Sequence, residues 1–168
     1  MKTAGIFGPK LSGKTTLARH LSKQFWLRAR RRSLVLDPHL ESWGGQAWVT
    51  TNEPVFWEAV WKSRGDLVIV EEAAATIRRE RELIPLFTRL RHLDHKLIIV
   101  GHDGTDLLPV MRRQFDTIYL FVQPAAAVEI WQKDLPQCKG LDAAAELRQF
   151  EFLRCELFQR AQRLKLQL

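Results

Sequence analysis

Short runs of aliphatic residues recur along the chain, and each is bounded by glycine, proline or charged residues. Nearly continuous apolar runs of this length are typical of strands that are buried on both faces of a parallel sheet. The strand at 116–122 is expected to be the last. The predicted strands are residues 3–7, 33–37, 46–50, 66–72, 96–100 and 116–122.

Between these runs, apolar residues recur at the three- and four-residue spacing of an amphipathic helix. This spacing predicts a helix over 15–26, a second that ends at Gly65, and a third whose first turn contains Pro85. The same spacing over 142–166 predicts a long C-terminal helix. Strands that alternate with helices indicate an α/β fold with a mainly parallel sheet.

The composition, with 168 residues, 46% of them hydrophobic and 27% charged, is that of one soluble globular domain. No apolar run is long enough to span a bilayer, and the N-terminus lacks the layout of a signal peptide. We therefore expect a cytoplasmic protein with no membrane insertion. Cys138 and Cys155 are too few for a disulfide framework or a zinc site, and are expected to be reduced structural residues.

The formal net charge is +7, and arginines cluster at 28–32, 78–81 and 112–113. This charge balance is compatible with a polyanionic partner such as nucleic acid. A nucleotide-binding site also needs positive charge, and arginine-rich helix faces are often simply solvated. The charge therefore allows a nucleic-acid partner without identifying one.

The segment from Gly8 to Thr15 matches the phosphate-loop pattern G-x-x-x-x-G-K-[ST], and it lies between a predicted strand and a predicted helix. Its glycines allow the backbone to turn so that several N–H groups and the helix N-terminus face the same phosphates. Lys14 supplies a cation for the β- and γ-phosphates, and the Thr15 hydroxyl is a hard ligand for Mg²⁺. The alternative is a glycine-rich turn that matches by chance.

We therefore predict a site for ATP and Mg²⁺ at this loop. Lys10 is either a phosphate contact or a solvated residue, and Thr16 begins the helix. The predicted nucleotide-binding residues are Gly8, Pro9, Lys10, Leu11, Ser12, Gly13, Lys14, Thr15 and Thr16.

A second chemical landmark is the strand at 66–72, which ends in Glu71 and Glu72. Two carboxylates at the carboxyl end of a buried strand form a Walker B arrangement. By position, Glu71 holds Mg²⁺ and Glu72 accepts a proton from the attacking water. The alternative is an ordinary acidic helix start.

Polar residues also follow two other strands of the predicted sheet. Asp37, His39 and Glu41 follow the second strand, and His102 follows the strand at 96–100. Loops at the carboxyl ends of parallel strands face the ligand crevice, so these residues are candidates for lining it. His102 is the candidate sensor of the γ-phosphate. For Asp37, His39 and Glu41, a simple polar turn is the alternative.

The motifs described above, in their order along the chain, resemble those of the FtsK–HerA superfamily of DNA-pumping ATPases. Within that superfamily, the chain most resembles the small genome-packaging ATPases of tailless, membrane-containing viruses. The resemblance covers about residues 2–123, the predicted ATPase core. This sequence has His102 where the family usually has Gln, and Glu71 where it usually has Asp. The motifs that carry the resemblance are Gly8–Thr15, Asp37-Pro38-His39, Val70-Glu71-Glu72-Ala73, Ile99–His102, and Arg113 ahead of a strand ending in Phe121.

The resemblance implies a three-layer α/β/α P-loop domain over 1–168, with one strand between the P-loop strand and the Walker B strand. A helical extension would occupy 141–168. It also implies a ring of identical subunits with nucleotide between neighbours, sequence-independent binding of double-stranded DNA, and a viral capsid or portal as a further partner. If the protein is viral, the host cytoplasm or the virion is its location.

In such rings an arginine from a neighbouring subunit stabilises charge in the transition state. Arg91 matches the family's arginine just before the sensor strand, and Arg89 is a poorer match. Arg112 and Arg113 are candidates for a second sensor-like contact or for DNA contacts, with a solvated helix face as the alternative.

Three classes of function remain open at this point. The first is an oligomeric ATPase that moves double-stranded DNA. The second is a small-molecule or nucleotide kinase, in which Arg78–Arg81 would form a lid, although a carboxylate pair suited to activating water argues against it. The third is a nucleotide-dependent switch, for which the chain lacks an Asn-Lys-x-Asp guanine-reading motif.

Overall fold

A computed structural model describes residues 2–72 and 84–167. The arginine-rich stretch 74–82, including the predicted lid residues, lies outside the described residues. The strands are β1 (Thr3–Phe7), β2 (Ser33–Leu36), β3 (Ala47–Thr50), β4 (Leu67–Val70), β5 (Lys96–Gly101), β6 (Thr117–Leu120), β7 (Glu151–Glu156) and β8 (Gln162–Lys165). The helices are α1 (Lys14–Ala29), α2 (Glu53–Lys62), α3 (Ile84–His92), α4 (Pro109–Arg112) and α5 (Ala125–Asp134), with 3₁₀ turns at Gly104–Asp106 and Leu141–Glu146.

The described strands form one sheet in the order β3-β2-β4-β5-β1-β6-β7-β8. The first six in this order are parallel, whereas β7 and β8 are antiparallel to their neighbours. As the family resemblance implied, β5 lies between β1, which precedes the Gly8–Thr15 loop, and β4, which precedes Glu71 and Glu72. The carboxyl ends of β1, β2, β4 and β5 therefore meet at one edge of the sheet.

Helices cover both faces of this sheet and give the predicted three layers. On one face, α1 packs through Leu17, Ala18 and Phe25 against the sheet. On the other face, α2, α3 and α5 pack through a larger aromatic cluster. That cluster includes Phe56, Val60, Phe87, Leu90 and Trp131. Because both faces are covered, every residue of β4 is buried, which explains its continuous apolar sequence.

The predicted strands and the first three helices are confirmed, apart from small shifts at their ends. Two features explain the position of α2. The Asn52 side chain accepts a hydrogen bond from the backbone N–H of Val55, and Pro54 occupies the first turn. Both are standard signals of a helix N-terminus, so the aromatic face of α2 is placed by its local sequence.

The predicted C-terminal helix at 142–166 is wrong, and 116–122 is not the last strand. The segment contains a 3₁₀ turn and the antiparallel hairpin of β7 and β8, and a helix that was not predicted, α5, precedes it. Phe152 packs on the α1 face of the sheet, while Leu153 and Cys155 pack on the opposite face. The outer edge of β6 offers a full row of backbone partners, and this tertiary pairing overrides the helical spacing.

Phe158 shows the same conflict in one residue. The helical pattern required Phe158 on the buried face of the predicted helix. Instead it lies in the turn of the hairpin with φ of 66° and is 86% exposed.

Within the described part of the chain, no helix has the length and apolar character needed to cross a membrane.

Candidate nucleotide site

A cavity of about 270 Å³ opens where the carboxyl ends of β1, β2, β4 and β5 meet. It brings together the Gly8–Thr15 loop, the carboxylates of Glu71 and Glu72, and the loops after β2 and β5. Of the predicted loop residues, Gly8, Pro9, Ser12, Gly13 and Thr16 do not line it. The lining residues are Lys10, Leu11, Lys14, Thr15, Asp37, His39, Glu41, Glu71, Glu72, Val100, Gly101 and His102.

Packing requires glycine at both positions of the loop, and at Gly13 the backbone conformation requires it as well. The backbone N–H of Gly8 donates to the carbonyl of Gly101, 3.3 Å away, and a Cβ on Gly8 would lie 2.5 Å from the Phe121 Cβ. Gly13 has φ of +105°, and a Cβ there would lie 2.5 Å from Leu166 Cδ1. A side chain at either position would collide with a neighbouring strand end.

Lys14 begins α1 and directs its ammonium group over the loop, where Nζ donates to the carbonyl of Pro9 at 2.8 Å. Burial lowers the pKa of Lys14, while the carboxylates of Glu71, Glu72 and Asp106 oppose that shift. The lysine therefore faces several acidic groups and can move its cation within the cavity.

Thr15 and Glu71 form the centre of the candidate metal site. The Thr15 hydroxyl donates to the carboxylate of Glu71, which is only 5% exposed. Burial raises the pKa of Glu71 to about 7; the carboxylate of Asp37 adds to the shift, and Thr15 and Lys14 oppose it. The extra methylene of glutamate relative to aspartate does not prevent this contact.

This oxygen pair fits Mg²⁺, which commonly uses one or two protein ligands together with phosphates and water. Among the described residues, no group of three or more His, Cys, Asp or Glu side chains could hold a metal ion. A cation at this position would therefore depend on phosphate oxygens for much of its coordination.

Glu72 follows Glu71 in the left-handed region of the backbone, with φ of 50°. This conformation turns its carboxylate toward two imidazoles on separate loops: Oε1 lies 3.4 Å from His39 Nε2 and 3.9 Å from His102 Nε2. The predicted strand-end residues thus converge on one carboxylate. The convergence of His39 on Glu72 was not predicted, because only strand pairing brings the two loops together.

Asp37 lines the cavity as predicted, but its carboxylate is largely engaged within its own loop. It accepts hydrogen bonds from the backbone N–H groups of His39 and Glu41 and from Trp43 Nε1, at 2.9 to 3.0 Å. Asp37 is 2% exposed. Its role in this structure is to shape the loop that carries His39.

Asp106 plays the equivalent part after β5, and it was not singled out from the sequence. Its Oδ2 accepts from the backbone N–H groups of His102 at 2.6 Å and Asp103 at 3.3 Å, closing a capping box around the 3₁₀ turn. The spacing of Asp103 and Asp106 was the available signal. Asp106 holds the loop that presents His102 to the cavity.

Arg91 lies away from the cavity of its own chain. Its guanidinium donates to Thr3 Oγ1 at 3.1 Å and to the carbonyl of Gln114 at 3.0 Å, and lies 3.8 Å from Asp116. Thr3 begins β1, whereas the P-loop follows the other end of that strand at Phe7. Arg91 is therefore at the opposite edge of the sheet from the loop.

Arg112 is not a residue of a solvated helix face or a free contact for DNA. It is buried, its guanidinium lies 2.6 Å from the Asp134 carboxylate, and it also donates to the carbonyls of Gly104 and Leu107. Arg113 contacts the other oxygen of the same carboxylate at 3.0 Å, but its side chain is 58% exposed. Arg112 thus has a structural role in joining α4 to α5.

The strand order and the loop between β1 and α1 give the three-layer fold of the P-loop NTPases. One solved structure of this class is the genome packaging NTPase B204 from Sulfolobus turreted icosahedral virus 2 in complex with AMPPCP. It superposes with a TM-score of 0.79 at 20% identity, covering 99% of this chain and 98% of that chain.

Two further solved structures share the fold at lower identity. The cytoplasmic domain of the type VII secretion ATPase EccC from Thermomonospora curvata has a TM-score of 0.68 at 13% identity, covering 98% of this chain and 25% of that chain. The N-terminal domain of zonular occludens toxin from Neisseria meningitidis has a TM-score of 0.58 at 12% identity, covering 99% and 94%. No protein-family model and no curated protein matches the chain.

Proposed function

We propose that this protein is an ATP-hydrolysing motor that moves double-stranded DNA, acting as a ring of identical subunits. The observation that carries the proposal is the single cavity in which Lys14, the Thr15–Glu71 pair and Glu72 meet. Phosphate binding, metal binding and water activation each require one of these groups. Their convergence matches hydrolysis of a nucleoside triphosphate.

In this proposal Lys14 binds the β- and γ-phosphates, and the N–H groups of the loop surround them. Thr15 and Glu71 would hold Mg²⁺, which supplies neutralisation of charge on the phosphate oxygens when bound. Glu72 accepts the proton of the attacking water. His39 and His102 orient the Glu72 carboxylate, and His102 is placed to contact the γ-phosphate.

The proposal of a DNA substrate draws on fold and charge. The fold likeness to a viral genome packaging NTPase extends over almost the whole of both chains, and the net charge of +7 suits a polyanion. Packaging of a viral genome, with a capsid or portal as docking partner in the host cytoplasm, is the corresponding biological role. Ring assembly would bring Arg91 of one subunit to the cavity of the next.

The proposal is tested by measuring phosphate release from ATP with Mg²⁺ and no acceptor, with and without long duplex DNA. We expect release without an acceptor and acceleration by duplex of any sequence. The assay includes Lys14→Ala, which should lose activity. Its matched control is Lys23→Ala, which removes an exposed lysine on α1. Turnover that requires a small-molecule acceptor and ignores DNA would favour the kinase alternative.

A further inference from the structure

The described arginines separate into two groups once their partners are known. Several are paired with carboxylates of the same chain. Arg112 is buried against Asp134, for example. The other arginines held in this way are Arg19 by Glu41, Arg31 by Asp66, Arg91 by Asp116, Arg113 by Asp134, Arg154 by Glu156 and Arg163 by Glu151.

The described arginines without a carboxylate partner include three that lie close together at the end of α1. Arg28 is in the last turn of the helix, and Arg30 and Arg32 follow in the link to β2. All three are exposed. Arg31, between them, is half-exposed, and its Nε donates to Asp66 at 2.9 Å. This contact anchors the link, while the neighbouring arginines have no carboxylate partner.

Two further basic residues extend this surface. Arg31 also donates to the backbone carbonyl of Arg64, which places the exposed Arg64 beside the link. Lys96 begins β5, lies 5.4 Å over the ring of Phe25 on α1, and lines one groove together with Arg28. We call Arg28, Arg30, Arg32, Arg64 and Lys96 the α1-end surface.

The acidic residues beside the α1-end surface offset only part of its charge: Asp94, in the turn before β5, is exposed. Asp66 is 8% exposed and is engaged by Arg31, and Glu156, in the same groove as Arg28, is engaged by Arg154. Arginines at a helix C-terminus also interact favourably with the helix dipole, but that effect does not account for Arg64 or Lys96. Five exposed cations in one place are suited to a regularly spaced row of anions.

We propose that the α1-end surface contacts the phosphate backbone of double-stranded DNA. This rests on the proposed function and identifies where the DNA would lie. The surface is formed at the amino ends of the strands, opposite the nucleotide cavity, so DNA and ATP would bind at different edges of the sheet. Its arginine and lysine side chains can each neutralise a phosphate in any DNA sequence, which suits binding that is indifferent to sequence.

The test compares two triple variants that remove the same charge. One is Arg28→Ala with Arg30→Gly and Arg32→Ala; glycine is used at 30 because Arg30 has φ of 54°. The control is Lys139→Ala with Arg148→Ala and Arg160→Ala, all exposed and remote from the cavity lining. Binding to duplex DNA is measured across a salt series, with basal ATPase activity and thermal unfolding as checks on folding.

We expect the slope of log K against log salt to fall by about 1 for each arginine that contacts a phosphate, a total of about 2 to 3 for the α1-end variant. The control variant should keep the wild-type slope. A variant with lysine in place of Arg28 and Arg32 should retain most of the wild-type slope. An unchanged slope in the α1-end variant, or an equal loss in the control, overturns the inference. Absence of duplex binding by the wild-type protein overturns the proposed function itself.

Discussion

Leu166 lies where a side chain on Gly13 would have to go: a Cβ on Gly13 would be 2.5 Å from Leu166 Cδ1 and 3.3 Å from Phe150 Cδ1. The backbone N–H of Leu166 donates to the carbonyl of Phe150 at 2.9 Å, which joins the two residues across the C-terminal hairpin. The hairpin therefore packs directly against the glycine that immediately precedes α1. Sequence segments more than 130 residues apart meet at the phosphate loop.

Leu166→Ala should weaken nucleotide binding, because it removes the contact that supports the loop at Gly13. The dissociation constants of ATP and of inorganic tripolyphosphate should rise by similar factors, about threefold to tenfold for a loss of roughly 1 kcal/mol. Leu164→Ala, on β8 two residues before Leu166 and not next to Gly13, is the control. A loss confined to ATP, with tripolyphosphate unaffected, would indicate a contact with the base instead.

Lys14→Ala should abolish ATP binding or turnover, because it removes the lysine that lies over the loop. Binding is measured by titration with a fluorescent ATP analogue, and turnover by phosphate release. Lys23→Ala should behave as the wild-type protein. If the Lys14 variant hydrolysed ATP at the wild-type rate, the assignment of Gly8–Thr15 as a phosphate-binding loop would be wrong.

Glu72→Gln should retain bound ATP and block its cleavage. The amide keeps the size and polarity of the side chain but is a far weaker proton acceptor. The measurement is a single-turnover assay in which bound ATP and ADP are separated after denaturation. If Glu71→Gln gave this phenotype while Glu72→Gln stayed active, the two carboxylates would have the reverse of their assigned roles.

Arg91→Ala should leave ATP binding intact and slow hydrolysis by about three to five orders of magnitude, if Arg91 acts on the cavity of a neighbouring subunit. Mixing this variant with Glu72→Gln protein should restore some activity, at interfaces that pair an intact Glu72 with an intact Arg91. Arg89→Ala is the control on the same helix. A mixture as inactive as its two components, with subunit exchange confirmed, would contradict an arginine supplied in trans.

Arg112→Ala should lower the free energy of unfolding by about 3–5 kcal/mol, because it leaves the buried Asp134 carboxylate without its main partner. Arg113→Ala, which removes the half-exposed partner of the same carboxylate, should cost less than about 1 kcal/mol. Chemical denaturation of the two variants provides the comparison. Equal losses would mean that burial does not distinguish the two ion pairs.

The residues of the candidate nucleotide cavity were predictable because they lie in short, recognisable segments of the sequence. The spacing of Gly8, Gly13, Lys14 and Thr15 is local, and a buried strand that ends in two carboxylates is recognisable by itself. The parallel sheet then brings such strand ends together without further information. The structure places Lys14, Thr15, Glu71, Glu72 and His102 around the same cavity, as expected from these segments.

The C-terminal segment 142–166 was harder to predict, because the spacing of its apolar residues fits both a helix and a strand. Phe150, Leu153 and Leu157 have helical spacing, while Phe152, Leu153 and Cys155 are buried on the two faces of a strand. The local sequence pattern does not indicate that the outer edge of β6 is free to pair with this segment. Once that edge exists, backbone pairing decides in favour of a strand.

The sequence by itself therefore determined the chemistry of the loop, the acidic strand end and the α/β order of the core, since each depends on residues that are close along the chain. Only the tertiary structure decided which arginines are engaged and which are exposed, because Arg112 and Asp134 meet across 22 residues and Arg91 and Thr3 across 88. It also decided that Leu166 packs on Gly13. Such contacts form when distant segments pack against the same sheet. The spacing of the residues along the chain therefore does not predict them.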